Sequence, residues 1–386
     1  MSDELTLNKY AKTADHPFGK AGMLSSILRR RYSLPMRAIY FEEFNGPLTV
    51  VDLPQPVAAP GSVVIKVEAT GLCRSDWHGW VGHDADIPLP HVPGHELAGT
   101  IDSIGADVTQ FTVGDRVTVP FVCGCGKCEY CLRGDAQICP IQTQPGFTHW
   151  GSFAEFVEIH NADFNLIALP DSISFETAAG LGCRFATAFR GLTGRANLQS
   201  GEWVAIFGCG GVGLSAVMIA KALGAKVIAV DINEAALEIA KNLGADLILN
   251  SKTGKFPAVD EAIIMMTGAR RGVDISVDAL GSVVTATSAI KSLRRGGRHL
   301  QLGLLPSEDG QTPLPMGRVI GWELDLLGSH GMAAVDYPKM LAMIADGSLK
   351  PDLLVERTIG LDAGRDALES LAQSQSAGVT IIKPCD

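Results

Sequence analysis

The chain has no run of 18 uninterrupted apolar residues; its richest stretch, Ala216 to Val230, is broken by Lys221 and Lys226. A bilayer-spanning helix needs about 20 such residues, so no membrane span is expected. Charge is scarce too. Only 19% of residues are Asp, Glu, Lys or Arg, and 32 cations against 42 anions leave a net charge of −10 with no basic stripe. That balance excludes coating nucleic acid or anionic lipid. The 46% hydrophobic content excludes a chain kept disordered by charge. The N-terminus opens with Asp3 and Glu4 and has no apolar core, so no secretory leader is expected. The Arg- and Ser-rich segment Met23 to Ser33 reads as part of a surface extension rather than a transit peptide. Cytosol is the expected compartment, and a small molecule the expected substrate.

Glycine and cysteine are what the chain has in excess. The 43 glycines exceed the about 27 that an ordinary chain of this length holds, which predicts many close backbone approaches. At 386 residues the chain is too long for one core, so two domains are expected. Residues 1–35 show no periodicity and read as an extension. From Met36 come short strand-like runs, Val63 to Ala69 and Asp115 to Val119, broken by Gly and Pro; they predict a β-rich unit over 36–184. The stretch Ala178 to Leu192 looks helical.

Over 185–325 strands alternate with helices. The strands Trp203–Phe207, Val227–Val230, Val273–Val277, His299–Leu302 and Leu324–Leu327 are nearly continuous apolar runs. The helices Leu214–Leu223 and Glu234–Leu243 stop at Gly224 and Gly244. This predicts an α/β fold with a doubly wound parallel sheet. Residues 326–386 are too few for a third domain and are expected to return to the first.

Gly208-Cys-Gly-Gly-Val-Gly213 fits G-x-G-x-x-G between the first of these strands and its helix. There Gly208 makes the tight turn, Gly210 lets a diphosphate approach, and Gly213 packs helix on strand, with Gly211 and Val212 between them. Asp231 ends the next strand, where a carboxylate accepts bonds from the ribose hydroxyls of NAD and repels the 2′-phosphate of NADP. NAD is therefore expected.

Cys125, Cys128, Cys131 and Cys139 follow one another at spacings of 3, 3 and 8 residues, which suits a closed tetrahedral zinc site of structural type. It would pin a lobe of about residues 121–141. Cys123 is an alternative ligand to Cys125, and an iron–sulfur cluster is an alternative occupant. A second set is dispersed: Cys73, His95 and Cys183. Two cysteines and a histidine with a free fourth position are one known ligand set of catalytic zinc. Taken singly, each also reads as an ordinary core residue.

With Cys73-Arg-Ser-Asp76, Gly94-His-Glu-Leu-Ala-Gly99, Gly114-Asp-Arg-Val117, the four-thiol lobe and Gly208–Gly213 in that order, the chain resembles the zinc-dependent alcohol dehydrogenases of the medium-chain dehydrogenase/reductase superfamily. The resemblance covers about residues 36–386. It implies a GroES-like β-rich catalytic domain joined to a Rossmann domain, two zinc ions per chain, and reversible hydride transfer between an alcohol and NAD. It further implies that Cys73, His95 and Cys183 hold catalytic zinc with Glu96 beside them, and that Asp76 orients the zinc histidine. Ser75 and His78 match the family's proton relay. Thr187 matches a residue near the nicotinamide, and Phe121 one lining the substrate pocket. Cys183, where similar polyol dehydrogenases carry Glu, favours the alcohol branch. A polyol dehydrogenase and a non-catalytic cofactor-binding protein are the competing readings. Val379 stands where many relatives carry an arginine that reaches the cofactor diphosphate, and Arg74 is a substitute. A homodimer or homotetramer is the assembly the resemblance implies.

Overall fold

A computed structural model of the chain describes residues 34–84, 86–252, 258–268, 271–305, 311–373 and 378–386. The extension expected over 1–35 lies almost wholly outside them. The described chain opens with the antiparallel pair β1 (Pro35–Tyr40) and β2 (Thr49–Pro54). Then come β3 (Val63–Leu72), β4 (Glu96–Ile104), β5 (Arg116–Thr118), β6 (Phe156–Ile159) and β7 (Ile167–Ala168). Runs of β-branched and apolar residues, separated by Gly and Pro, make these strands and fix their ends.

Six parallel strands follow: β8 (Trp203–Phe207), β9 (Lys226–Asp231), β10 (Leu247–Asn250), β11 (Val273–Asp278), β12 (Leu293–Gln301) and β13 (Asp325–Gly328). Their spatial order is β10-β9-β8-β11-β12-β13, the doubly wound arrangement whose direction of winding reverses beside β8. Ligands bind such sheets outside the C-terminal strand ends at that reversal, where Gly208 begins. Most of β8, β9 and β11 is buried, as expected of strands covered by helices on both faces. The sequence reading omits β10. It is four residues long, sits at the sheet edge and buries only Leu249, so its apolar run is too short to stand out.

The tail returns. β14 (Val355–Gly360) pairs in parallel with β15 (Val379–Lys383), and β15 runs antiparallel to β3 with Thr380 opposite Leu72 and Ile381 opposite Gly71. The first sheet is therefore ordered β14-β15-β3-β4-β5-β7, with β6 also on β3. Its two ends in sequence meet at the stretch that leads into Cys73. One apolar core joins both halves: Ala69, Leu181, Phe185 and Phe189 pack with Val204, Leu214, Val227, Tyr337 and Ile381. No described helix is long and apolar enough to cross a membrane.

Candidate metal centre and cofactor cradle

Cys73 follows β3 and caps the helix Arg74–Trp80. Its N–H donates to Asp76 Oδ2 at 3.0 Å, so the third helical residue reaches back to the cap. The other oxygen of Asp76 accepts from His95 Nδ1 at 2.8 Å and from the Gly94 N–H at 3.1 Å. One fully buried carboxylate thus positions Cys73 and His95 together. Gly94 has φ of 103°, and a Cβ there would lie 2.5 Å from the Phe153 ring and backbone, so only glycine turns the chain tightly enough to aim His95 inward.

With Nδ1 committed to Asp76, the outward atom of the imidazole is Nε2. It is buried and has no hydrogen-bond partner. An unpaired buried nitrogen costs about 1–3 kcal/mol, which a metal bond would offset. Cys183 sits in the π-helical turn Leu181–Phe185, a kind of backbone irregularity frequent at functional sites. The preceding Gly182 carbonyl accepts from the Phe121 N–H and the Tyr337 hydroxyl, both at 3.3 Å, which pins the turn. Ligand atoms of Cys73, His95, Glu96 and Cys183 all lie within 4.8 Å of one another. Hydrogen bonding from Cys183, above all, pulls the Cys73 thiol well below its ordinary pKa, while the same contact and burial push Cys183 up. A thiolate-ready Cys/His/Cys set with a bare imidazole nitrogen fits zinc.

The second cluster joins Cys125, Cys128, Cys131 and Cys139, their sulfurs again within 4.8 Å of one another. Around them the lobe has only the short helix Glu129–Leu132 and the 3₁₀ turn Ala136–Ile138. The Lys127 N–H, above all, draws the Cys125 thiol down to about 6. Cys123 stands apart, packed with Val119 and Leu166 and donating to the Pro120 carbonyl, and burial pushes its thiol up to about 12. It is a core residue rather than a substitute for Cys125. All four clustered ligands are sulfur, which fits a closed zinc site.

In the cradle, Gly208 has φ of 89°. Gly210 is extended and has open space where a Cβ would stand, and a Cβ at Gly213 would overlap the Gly208 carbonyl. The helix begins at Gly211, three residues before the apolar periodicity predicts, because two glycines of low helix propensity form its first turn. Asp231 closes the far side: Oδ2 accepts from the Cys209 N–H at 2.6 Å and Oδ1 from the N–H groups of Ile232 and Asn233. An open glycine face beside a helix N-terminus, with a fixed carboxylate one strand away, fits a dinucleotide.

Other predicted residues scatter around these features. Ser75 Oγ is 3.8 Å from Cys73 Sγ. His78 lies half-buried further along the same helix, and Nδ1 meets His83 Nδ1 at 2.7 Å. Burial, then His83 and Arg74, lowers the His78 pKa. Thr187 is buried in the helix Ala186–Arg190. Phe121 is edge-on to His95 at 5.9 Å between centroids. Arg74 is exposed and donates to the Leu371 carbonyl at 3.4 Å. The carboxylate of Glu96 is not free: Arg184 binds it with its N–H, Nε and Nη2. Sequence reasoning missed Arg184, His83 and His330. His330 is edge-on to Phe121 at 5.0 Å. No spacing rule links Arg184 or His330 to the residues they touch, whereas His83, five residues past His78 and just beyond the helix end, carried a faint signal.

Residues 59–171 match the family described as alcohol dehydrogenase GroES-like domain, and residues 211–346 the one described as zinc-binding dehydrogenase. The chain is 36% identical over 352 residues to an alcohol dehydrogenase of Geobacillus stearothermophilus, covering 90% of this chain and 99% of that one. It is 36% identical over 335 residues to a sorbitol dehydrogenase of Bacillus subtilis, covering 84% of this chain and 91% of that one. The crystal structure of an NAD-dependent alcohol dehydrogenase superposes with a TM-score of 0.81 at 31% identity, covering 90% of this chain and 99% of that one. The chain belongs to the zinc-dependent alcohol dehydrogenases of the medium-chain dehydrogenase/reductase superfamily.

Proposed function

We propose that the chain is an NAD-dependent alcohol dehydrogenase that oxidises primary or secondary alcohols reversibly, with Cys73, His95 and Cys183 holding catalytic zinc and Glu96 beside them. Cys125, Cys128, Cys131 and Cys139 hold structural zinc. The observation that carries the reading is the buried His95 Nε2, without a hydrogen-bond partner among the described residues and grouped within 4.8 Å with two cysteine sulfurs. When bound, the metal lowers the pKa of an alcohol hydroxyl and the nicotinamide takes up hydride.

The chain's own residues supply alignment and a proton path. Ser75, next to the Cys73 sulfur, accepts the hydroxyl proton. His78 takes it onward, and its bond to the exposed His83 leads to the surface. A lowered pKa keeps His78 neutral, and therefore able to accept, at neutral pH. Phe121 and Phe147, at 5.9 and 5.2 Å from the His95 ring, shield the reacting position from water. Thr187 stands at the nicotinamide side, Gly208 to Gly213 with Arg74 take the diphosphate, and Asp231 takes the ribose. Its negative charge favours NAD over NADP.

Aromatic walls favour an apolar alcohol. A polyol substrate is the second reading, favoured by the imidazole of His330 beside Phe121 and by the sorbitol dehydrogenase relative. We place the enzyme in the cytosol as a homodimer or homotetramer. A panel of primary, secondary, benzylic and polyol substrates, followed at the NADH absorbance on protein with two zinc ions per chain, tests the reading. Turnover of apolar alcohols supports it, turnover of polyols alone selects the second reading, and no NAD-linked turnover at full zinc occupancy overturns both.

A further inference from the structure

One side chain touches both the metal cluster and the cofactor cradle. Arg184 follows Cys183 and is 8% exposed. Its N–H and Nε each reach Glu96 Oε1 at 3.0 Å, and Nη2 closes on Oε2, so Glu96 occupies one edge of the guanidinium. The other edge lies against the glycine-rich turn. A Cβ built at Gly211, the first residue of the cradle helix, would stand 2.7 Å from Arg184 Cδ and 3.3 Å from Nη1. Gly211 therefore leaves the space that Arg184 fills. Nη1, unlike Nε and Nη2, makes no hydrogen bond among the described residues.

The same guanidinium reaches the strand pair that carries Val379. A Cβ at Gly71 would lie 3.0 Å from Arg184 Nη2, and Gly71 faces Ile381 across the sheet, two residues from Val379. Val379 is 4% exposed and brings no cation to that corner. Arg184 brings one, from a different segment.

We infer that Arg184 binds the cofactor diphosphate alongside Arg74, holding Glu96 with Nε and Nη2 and presenting Nη1 to a dinucleotide at the Gly208–Gly213 turn. The inference rests on the NAD reading above. A guanidinium suits both tasks, because its planar fork binds a carboxylate on one edge and keeps donors on the other. It supplies the positive charge that Val379 omits, and it makes cofactor binding and the placement of Glu96 depend on one residue.

The test uses full-length, zinc-loaded protein titrated with NADH, with ADP-ribose, which keeps the diphosphate, and with adenosine, which lacks it. Arg184→Met should weaken NADH and ADP-ribose about 10- to 100-fold, with adenosine changed less than about twofold and zinc still at two per chain. Arg184→Lys, which keeps charge but loses the fork, should fall between. If Arg184→Met fails to fold because Glu96 is left unpaired, the Glu96→Gln/Arg184→Met double variant removes that charge and carries the same measurement. Unchanged NADH and ADP-ribose affinity, or an equal loss for adenosine, would make Arg184 a structural partner of Glu96 only and overturn the inference. Failure of the unaltered protein to bind NADH would instead sink the NAD reading, and is seen before any variant is made.

Discussion

At the scale of single residues, function concentrates where one group does two jobs. Asp76 caps a helix through one oxygen and orients His95 through the other, so two of the proposed metal ligands share one positioning carboxylate. Cys183 has no such redundancy. Cys183→Ala should abolish turnover and lower zinc from two to one per chain, while NADH binding changes less than about threefold, because the cradle is built on another sheet. Metal analysis with NADH titration checks this, and full turnover in the variant would remove Cys183 from the metal site. Ser75 is a different case, since it touches the Cys73 sulfur without being a ligand. Ser75→Ala should slow alcohol oxidation about 10²- to 10⁴-fold with both zinc ions retained. Loss of metal in that variant would mean the hydroxyl serves the cluster rather than the proton path.

At the scale of elements, the cysteine lobe and the nucleotide-binding unit are held together by different means. The lobe has one turn of α-helix and one of 3₁₀, buries few apolar groups, and depends on its four sulfurs converging. Cys128→Ser should therefore leave one zinc per chain and lower the melting temperature by about 10 °C. Calorimetry with metal analysis measures both, and an unshifted melt would show that the lobe folds without metal. The nucleotide-binding unit rests on apolar packing and was largely legible in sequence, because its continuous apolar strands and glycine-stopped helices follow local rules. Gly224 and Gly244 have φ of 80° and 102°, as helix-ending glycines should. What local rules misplaced were the glycine-rich first turn at Gly211, which begins the helix early, and β10, whose four residues are held by pairing with β9 rather than by their own pattern.

At the scale of the whole molecule, acid sensitivity is built into packing that takes no part in the chemistry. His149 Nε2 donates to the Glu158 carbonyl, its ring lies tilted against His160 at 4.7 Å between centroids, and burial first, then His160, holds its pKa at about 3. The unfolded chain takes up that proton near pH 6.5 and the folded one only near 3, so stability is lost as pH falls through that interval. Relative to the unaltered protein, His149→Gln should lose about 2–3 kcal/mol less between pH 7 and 4.5. Denaturant melts at the two values decide it, and parallel losses would exclude His149 as a cause.

The order of motifs along the chain determined the family, the proposed four-cysteine zinc lobe and the dinucleotide cradle, because close ligand spacing and strand–turn–helix geometry are properties of short segments. It left Cys123 in competition with Cys125, gave Glu96 no partner and offered only Arg74 in place of the arginine missing at Val379. Only the tertiary structure put Cys123 into the core beside Val119 and Leu166 and brought Arg184 onto Glu96 and against Gly211. Contacts between segments distant in sequence, such as Arg184 and Glu96 88 residues apart, depend on how the strands and helices pack, and no local pattern encodes that.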